Sequence, residues 1–161
     1  MSSTINNIFE AREMLLKKYP ERKFTVVDTL SISGPMSALL VKAHELYEQG
    51  KTMDEVEQWL LDNRLRSHAW LTVSDLKYLA RGGRISSTSA FFGSMLDIKP
   101  IICMGKGGKL DPAEKVQGRK KALRTIVDRT AEYIEHPEDQ TVVIMQADVE
   151  EEAKTLEKMI I

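Results

Sequence analysis

The sequence predicts an α/β half followed by an α+β half. Three observations carry this. At both ends of the chain, helical apolar periodicity alternates with short β-branched runs. In the middle, Gly105-Lys106-Gly107-Gly108 separates two apolar runs, which marks a hairpin. The composition is that of a folded globular chain, with 161 residues, 42% apolar and 29% charged. That is enough apolar surface to offset ordering entropy. The length fits one ordinary domain, or two small or partial ones. The boundary is expected near Arg64 to Ser67, giving residues 1–66 and 67–161.

Each element follows from local pattern. From Thr4 to Tyr19, apolar residues at Ile5, Ile8, Phe9, Leu15, Leu16 and Tyr19 form one helical face, closed by Pro20. Phe24-Thr25-Val26-Val27 reads as a buried strand. Asp28-Thr29 ends it, and Ser31 to Pro35 reads as a loop. Met36, Leu39, Leu40, Ala43, Leu46 and Tyr47 mark a second helix that stops at Gly50. Met53, Val56, Trp59 and Leu60 mark a third, with Thr52 as N-cap and Glu55 as its capping-box partner. His68 to Val73 is the next strand. Asp75 to Arg81 reads as a short helix ending at Gly82-Gly83, and Ser86 or Ser87 caps another that runs to about Leu96. Ile98 to Met104 is a strand. Its Pro100 predicts an edge position, because proline cannot donate to a ladder. Lys109 to Val116 returns as its hairpin partner. Gly118 to Glu135 is a long helix with Leu123, Ile126, Val127, Thr130, Ala131 and Ile134 on one face. Thr141 to Met145 reads as a buried strand, and Val149 to Met159 as the last helix.

Charge and composition exclude several classes. Lysine plus arginine is 23 and aspartate plus glutamate is 24, a net charge of −1. That balance argues against a nucleic-acid protein, which carries a basic footprint. Cys103 is the only cysteine, so no intrachain disulfide forms, which fits a reducing compartment. No run of 18 apolar residues exists, so no transmembrane helix is expected. Met1 to Asn7 has neither the basic nor the apolar region of a secretory signal. A cytoplasmic location is the expectation.

The most unusual stretch is Arg81-Gly82-Gly83-Arg84-Ile85-Ser86-Ser87-Thr88-Ser89. Glycines allow close backbone approach, and hydroxyls at a helix start expose N–H groups to an anion. An arginine fork suits a carboxylate or phosphate. The structural alternative is a glycine C-cap followed by a serine N-cap, with both arginines solvated. Gly118-Arg119-Lys120-Lys121 places positive charge where the helix dipole opposes it. An acidic protein surface or a phosphate-bearing partner would explain that conflict, and a solvated face is the alternative. His44, His68 and His136 lack metal-ligand spacing. Gly105-Lys106-Gly107-Gly108 is not a phosphate loop. Cys103, inside an apolar strand, reads as an inert core residue. With no catalytic centre to nominate, a binding protein is expected ahead of an enzyme.

Four blocks resemble the DegV family of bacterial fatty-acid-binding proteins. They are Val27-Asp28-Thr29-Leu30-Ser31, Asp75-Leu76-Lys77-Tyr78-Leu79-Ala80-Arg81-Gly82-Gly83-Arg84-Ile85-Ser86, Ile98-Lys99-Pro100-Ile101, and Gly118-Arg119-Lys120-Lys121-Ala122-Leu123. They span roughly residues 27 to 123, and the second is long and specific. The resemblance implies part of a Rossmann-like parallel-sheet domain in 1–66. It implies most of a C-terminal α+β domain, with a mixed or antiparallel sheet, in 67–161. It also implies a buried acyl chain whose carboxylate sits near the domain junction. The bound fatty acid is then presented to a partner kinase related to dihydroxyacetone kinases. That kinase makes an acyl phosphate for phospholipid synthesis, and the binding protein makes no bond itself. No cofactor and no metal is implied.

Two departures from the family pattern stand out. The family opens with a strand and a D-S-x-x-D-type loop roughly eighty to ninety residues upstream of Met1, and ends with a glycine-rich, histidine-bearing segment beyond Ile161. The sequence thus resembles the middle of a DegV protein, as a gene fragment or split gene would. Met1-Ser2-Ser3-Thr4 is similar to the family's S-G-T turn, with Ser3 standing at the glycine. The resemblance assigns Ser2, Arg84 and Arg119 to the carboxylate or headgroup, and Arg81, Arg119 and Lys120 to the kinase-facing surface. Phe91, Phe92, Met95 and Ile98 are tail-lining candidates, along with Leu96 and Ile101; all serve equally well as plain core. A homodimer covering an exposed strand edge is a further expectation. The alternatives are an inactive or split DegV fragment without tight ligand binding, and a metabolite enzyme using Arg84 and Arg119 as an anion clamp.

Overall fold

The structure, a computed structural model, describes residues 4–76, 79, 81–83 and 97–161. Helix α1 (Thr4–Lys18) is followed by α2 (Ser33–Glu48) and α3 (Met53–Asn63), which pack on each other. Three strands come next: β1 (Trp70–Thr72), β2 (Ile98–Met104) and β3 (Leu110–Gln117). Helix α4 (Arg119–Tyr133), a 3-10 turn at Pro137–Asp139 and helix α5 (Glu150–Ile160) complete the order.

The strands form an antiparallel sheet in the order β1-β2-β3. Trp70 faces Cys103 and Thr72 faces Ile101 across one ladder, and Ile98 faces Gln117 across the other. Register shifts between Ile101, opposite Glu114, and Ile102, opposite Pro112, so Ala113 is the extra residue of a bulge on β3. Successive strand residues point to opposite faces. Ile101 therefore packs with Val116, Ala122 and Ile126 under α4, and Ile102 packs with Leu76 on the other face. Both isoleucines are fully buried. Trp70 and Leu156 close over the first cluster, so α5 reaches the core through α4.

Two turns set the ends of the sheet. At the β2–β3 hairpin, Gly105 N–H donates to Lys109 O and Gly108 N–H donates to Gly105 O. Gly108 has φ +68, and a Cβ there would lie 2.8 Å from Leu30 O. Only glycine lets the hairpin tip press against the 28–31 loop. At the opposite end, Gly118 N–H donates to Asp97 O at 2.9 Å and starts α4.

Three expectations are corrected. Phe24–Val27 is not a buried strand: it is half-buried and joins no ladder. Side chains hold it instead, with Arg12 Nε donating to Phe24 O at 2.7 Å and Arg64 Nη1 donating to Asp28 O at 2.6 Å. Thr141–Met145 is also outside the sheet, with Val142, Val143 and Met145 exposed. In both cases the local pattern is strand-like, but no neighbouring strand exists among the described residues. Pro100 is not on an edge strand, because β2 is central. The missing N–H is tolerated because β1 reaches only Ile101, leaving Pro100 opposite Lys115 of β3 alone. The predicted helix from Ser86 or Ser87 to Leu96 lies outside the described residues.

The capping box at α3 is present. Glu55 N–H donates to Thr52 Oγ1 at 3.3 Å, and Thr52 N–H donates to Glu55 Oε2 at 2.8 Å. The Thr52 N–H, then the Lys51 ammonium and the Thr52 hydroxyl, hold the Glu55 carboxyl down at about 2, against an ordinary 4.5. A depressed folded-state value means the contribution is fully present above pH 4.5 and is lost as pH falls towards 2. Glu55→Gln is therefore expected to melt below the parent at pH 7 and to converge on it near pH 2. Thermal melts across that range check this.

Candidate functional site

The sheet gathers two of the four motif blocks at one end, while a third packs over the sheet face through Leu76 and Leu79, with Leu71, Ile102 and Leu110. Strand β1 leaves at Thr72, β2 enters at Ile98, and β3 leaves at Gln117 into Gly118 and Arg119. In an antiparallel order these three points share an end. The register of Ile98 with Gln117 and the bond from Gly118 N–H to Asp97 O pin it. Asp97 has φ 64 and Gly118 φ 85, so both turns use left-handed backbone there. The fourth block does not join them. Its Leu30 meets the hairpin tip at the far end of the sheet. There Leu30 N–H donates to Asp28 Oδ1 and Thr29 Oγ1 donates to Ser31 O, while Ser31 Oγ is buried with no hydrogen-bond partner.

Arg119 is the best-defined candidate. Its Nε donates to Glu152 Oε2 at 2.7 Å, and its Nη2 lies 2.5 Å from the same oxygen. Glu152 sits in the first turn of α5, where a carboxylate also complements the helix dipole. The acid that offsets positive charge at the α4 start is thus supplied within the chain. Sequence reasoning missed this, because 33 residues separate the partners and no motif joins them. Arg119 Nη1 is buried and lacks a hydrogen-bond partner, so the fork has one arm unused. Lys120 and Arg81 are exposed, and Ile98 is half-buried. Ser2, Arg84, Phe91, Phe92, Met95 and Leu96 lie outside the described residues.

Other features narrow the chemistry. Burial first, then the Asp111 carboxylate, pushes the Cys103 thiol up from its ordinary value, which disfavours the nucleophilic thiolate. Burial lowers His68, whose ring lies 4.5 Å from that of Tyr133. Among the described residues, no three histidine, cysteine or acidic side chains group to hold a metal, and no helix is long and apolar enough to cross a membrane. A groove of about 360 Å³ at the α5 start is lined by Gln146, Asp148, Val149 and Glu150 to Glu152. Its carboxylates repel an anionic headgroup.

Comparison with known proteins follows the same lines. The DegV family model matches residues 1–161. A DegV domain-containing protein of Clostridium perfringens is 38% identical over 160 residues, 99% of this chain and 55% of the relative. A DegV family protein from Eubacterium eligens, solved loaded with heptadecanoic acid, is 26% identical with a TM-score of 0.88, covering 99% of this chain and 57% of that one. The Fatty Acid Kinase (Fak) B3 protein of Streptococcus pneumoniae, solved loaded with linoleic acid, is 24% identical with a TM-score of 0.72, covering 81% and 47%. It is a likeness of fold. This chain spans about half the length of the relatives it matches. With the family model covering every residue, the chain belongs to the DegV family.

Proposed function

We propose that this chain forms part of a bacterial long-chain fatty-acid carrier, which works in the cytoplasm and presents its acyl chain to a partner kinase. The kinase, of the dihydroxyacetone-kinase-like class, forms the acyl phosphate used for phospholipid synthesis. The carrier makes no bond and needs no cofactor beyond the fatty acid it holds. The observation that carries this is the match of 99% of the chain to a DegV structure loaded with heptadecanoic acid. The meeting of the 97–98 and 118–119 segments at one sheet end supports it, because an anion headgroup needs several donors together. In this reading residues 1–66 belong to a Rossmann-like α/β domain and residues 67–161 to an α+β domain. Ser2, Arg84 and Arg119 face the carboxylate, with Phe91, Phe92, Met95 and Ile98 along the tail. Arg81, Arg119 and Lys120 face the kinase.

Native mass spectrometry of the freshly purified chain, followed by denaturation and lipid analysis, tests the proposal. A stoichiometric fatty acid is the expected result, and Arg84→Ala is expected to lower its occupancy or the coupled kinase turnover with the melting curve unchanged. A chain that stays bare after incubation with long-chain fatty acid favours the split-fragment alternative. Unchanged occupancy and turnover in Arg84→Ala removes that residue from the site.

A further inference from the structure

The Ile98–Ile101 block holds one side chain that the carrier reading leaves without a role, Lys99. Pro100 and Ile101 are buried, and Ile98 is a tail candidate. The Lys99 side chain is 18% exposed, less than that of any other ion-paired lysine or arginine among the described residues, and Arg119 is next at 25%. A surface lysine keeps its ammonium in water. A cation drawn out of water needs acceptors in its place.

These two least exposed cations stand together. Lys99 lies two residues from Ile101 on β2, so its side chain is on the α4 face of the sheet, where Val116 opposite it packs with Ile101. Asp97 ties Lys99 to the start of α4. Its Oδ1 is 3.3 Å from Lys99 Nζ, and its main-chain oxygen accepts from Gly118 N–H at 2.9 Å. Its Oδ2 is 3.5 Å from where a Cβ on Gly118 would stand. Arg119 is the next residue. Thr72 comes to the same face and the same end: it closes β1 opposite Ile101, one diagonal step from Lys99.

The donors of this cluster are not all used. Among the described residues, Thr72 Oγ1 and Arg119 Nη1 are both buried without a hydrogen-bond partner. A polar atom left so costs folding free energy. The two carboxylates, Asp97 and Glu152, are 56% and 37% exposed, more than the cations they pair with. The acids thus lie to the solvent side, and the unused donors lie inside, where none of the described residues supplies an acceptor.

We infer that Lys99 and Thr72 join Arg119 in one inner site for an oxyanion head. The Lys99 ammonium and Arg119 Nη1 donate to its charged oxygens, and the Thr72 hydroxyl donates a further bond. The carboxylate of a fatty acid and the phosphoryl group of its acyl phosphate share this chemistry. The inference rests on the carrier reading, which places Arg119 at the headgroup, and adds two residues to that site.

Calorimetric titration of the delipidated chain with heptadecanoate, and separately with inorganic phosphate, tests it in Lys99→Met and Thr72→Val. Lys99→Met keeps the aliphatic stem and leaves Asp97 to water, so it is expected to melt within a few degrees of the parent. Thr72→Val removes a hydroxyl that nothing in the fold uses, so it is expected to melt at or above the parent. If the head is the carboxylate, heptadecanoate affinity falls at least tenfold in Lys99→Met and about fivefold in Thr72→Val. If it is the phosphoryl group, heptadecanoate affinity stays within about twofold and phosphate affinity falls by those factors instead. Unchanged affinity for both probes in either variant overturns the inference, and leaves the carrier reading standing where the parent binds heptadecanoate. A parent that binds neither probe overturns both. A parent that binds phosphate through these residues but no heptadecanoate supports the oxyanion site and counts against the carrier reading alone.

Discussion

Replacing Ile101 with alanine is expected to lower stability by about 3 kcal/mol, and the thermal midpoint by about 8 °C. Ile101 is fully buried between the sheet and α4, against Val116, Ala122 and Ile126, with Trp70 and Leu156 around them. Truncation removes contacts on every side, and β2 cannot collapse into the gap, because ladders on both flanks fix its position. Folded domains hold only about 5–15 kcal/mol in total, so this one change removes a large share. Ile98, on the same strand but half-buried, is the control. Ile98→Ala is expected to cost under about 1.5 kcal/mol, the partial-burial share of an isoleucine side chain. If Ile98 lines the acyl tail, its truncation instead lowers fatty-acid occupancy. Paired denaturant melts of the two variants separate core from lining. Equal losses of stability would show that the core does not centre on Ile101.

Local signals were legible in the sequence wherever one segment settles its own conformation. The Thr52–Glu55 box and the 105–108 turn reappear with the expected residues, and α4 buries Leu123 and Ile126 of its predicted face, with Ala122 beside them and Ala131 exposed. What failed depends on distant neighbours. Phe24–Val27 and Thr141–Met145 have β-branched composition, but a strand is a strand only beside another, and composition carries no record of whether a neighbour is present. Pro100 shows the same limit from the other side. Proline forbids a hydrogen bond, not a position, and it sits centrally because β1 is too short to reach it. At the site, the motif blocks were readable, yet their spatial grouping was not. The blocks at Ile98 and Gly118 meet at one sheet end and Val27–Ser31 meets the hairpin at the other, which follows from strand order rather than spacing. The Arg119–Glu152 pair is legible only once α5 is seen on α4.

That pair sets the second large expected effect, because Arg119 has two distinct roles to test. As a structural residue it anchors α5, and a partly exposed ion pair of this kind contributes up to about 1 kcal/mol. As a headgroup or kinase-facing residue it acts through its charge and through the Nη1 arm that Glu152 leaves unused. The two roles differ in what the partner substitution does. If Arg119 serves only to hold α5, Glu152→Gln and Arg119→Ala lose the same stability and the same activity. If Arg119 meets an anion, Glu152→Gln releases the guanidinium and keeps or raises turnover, whereas Arg119→Ala lowers it. The proposal for this DegV chain expects the second pattern. Arg119→Ala should cut kinase-coupled acyl-phosphate formation at least tenfold, and Glu152→Gln should leave it within about twofold, with both melting within a few degrees of the parent. Arg119→Lys should recover only part of the loss, because an ammonium cannot reproduce a two-armed fork on a carboxylate or phosphate. Steady-state turnover of all three variants beside their melting curves decides the matter. Equal turnover losses in Arg119→Ala and Glu152→Gln would confine Arg119 to holding α5 and move the anion contact to Arg81 or Arg84.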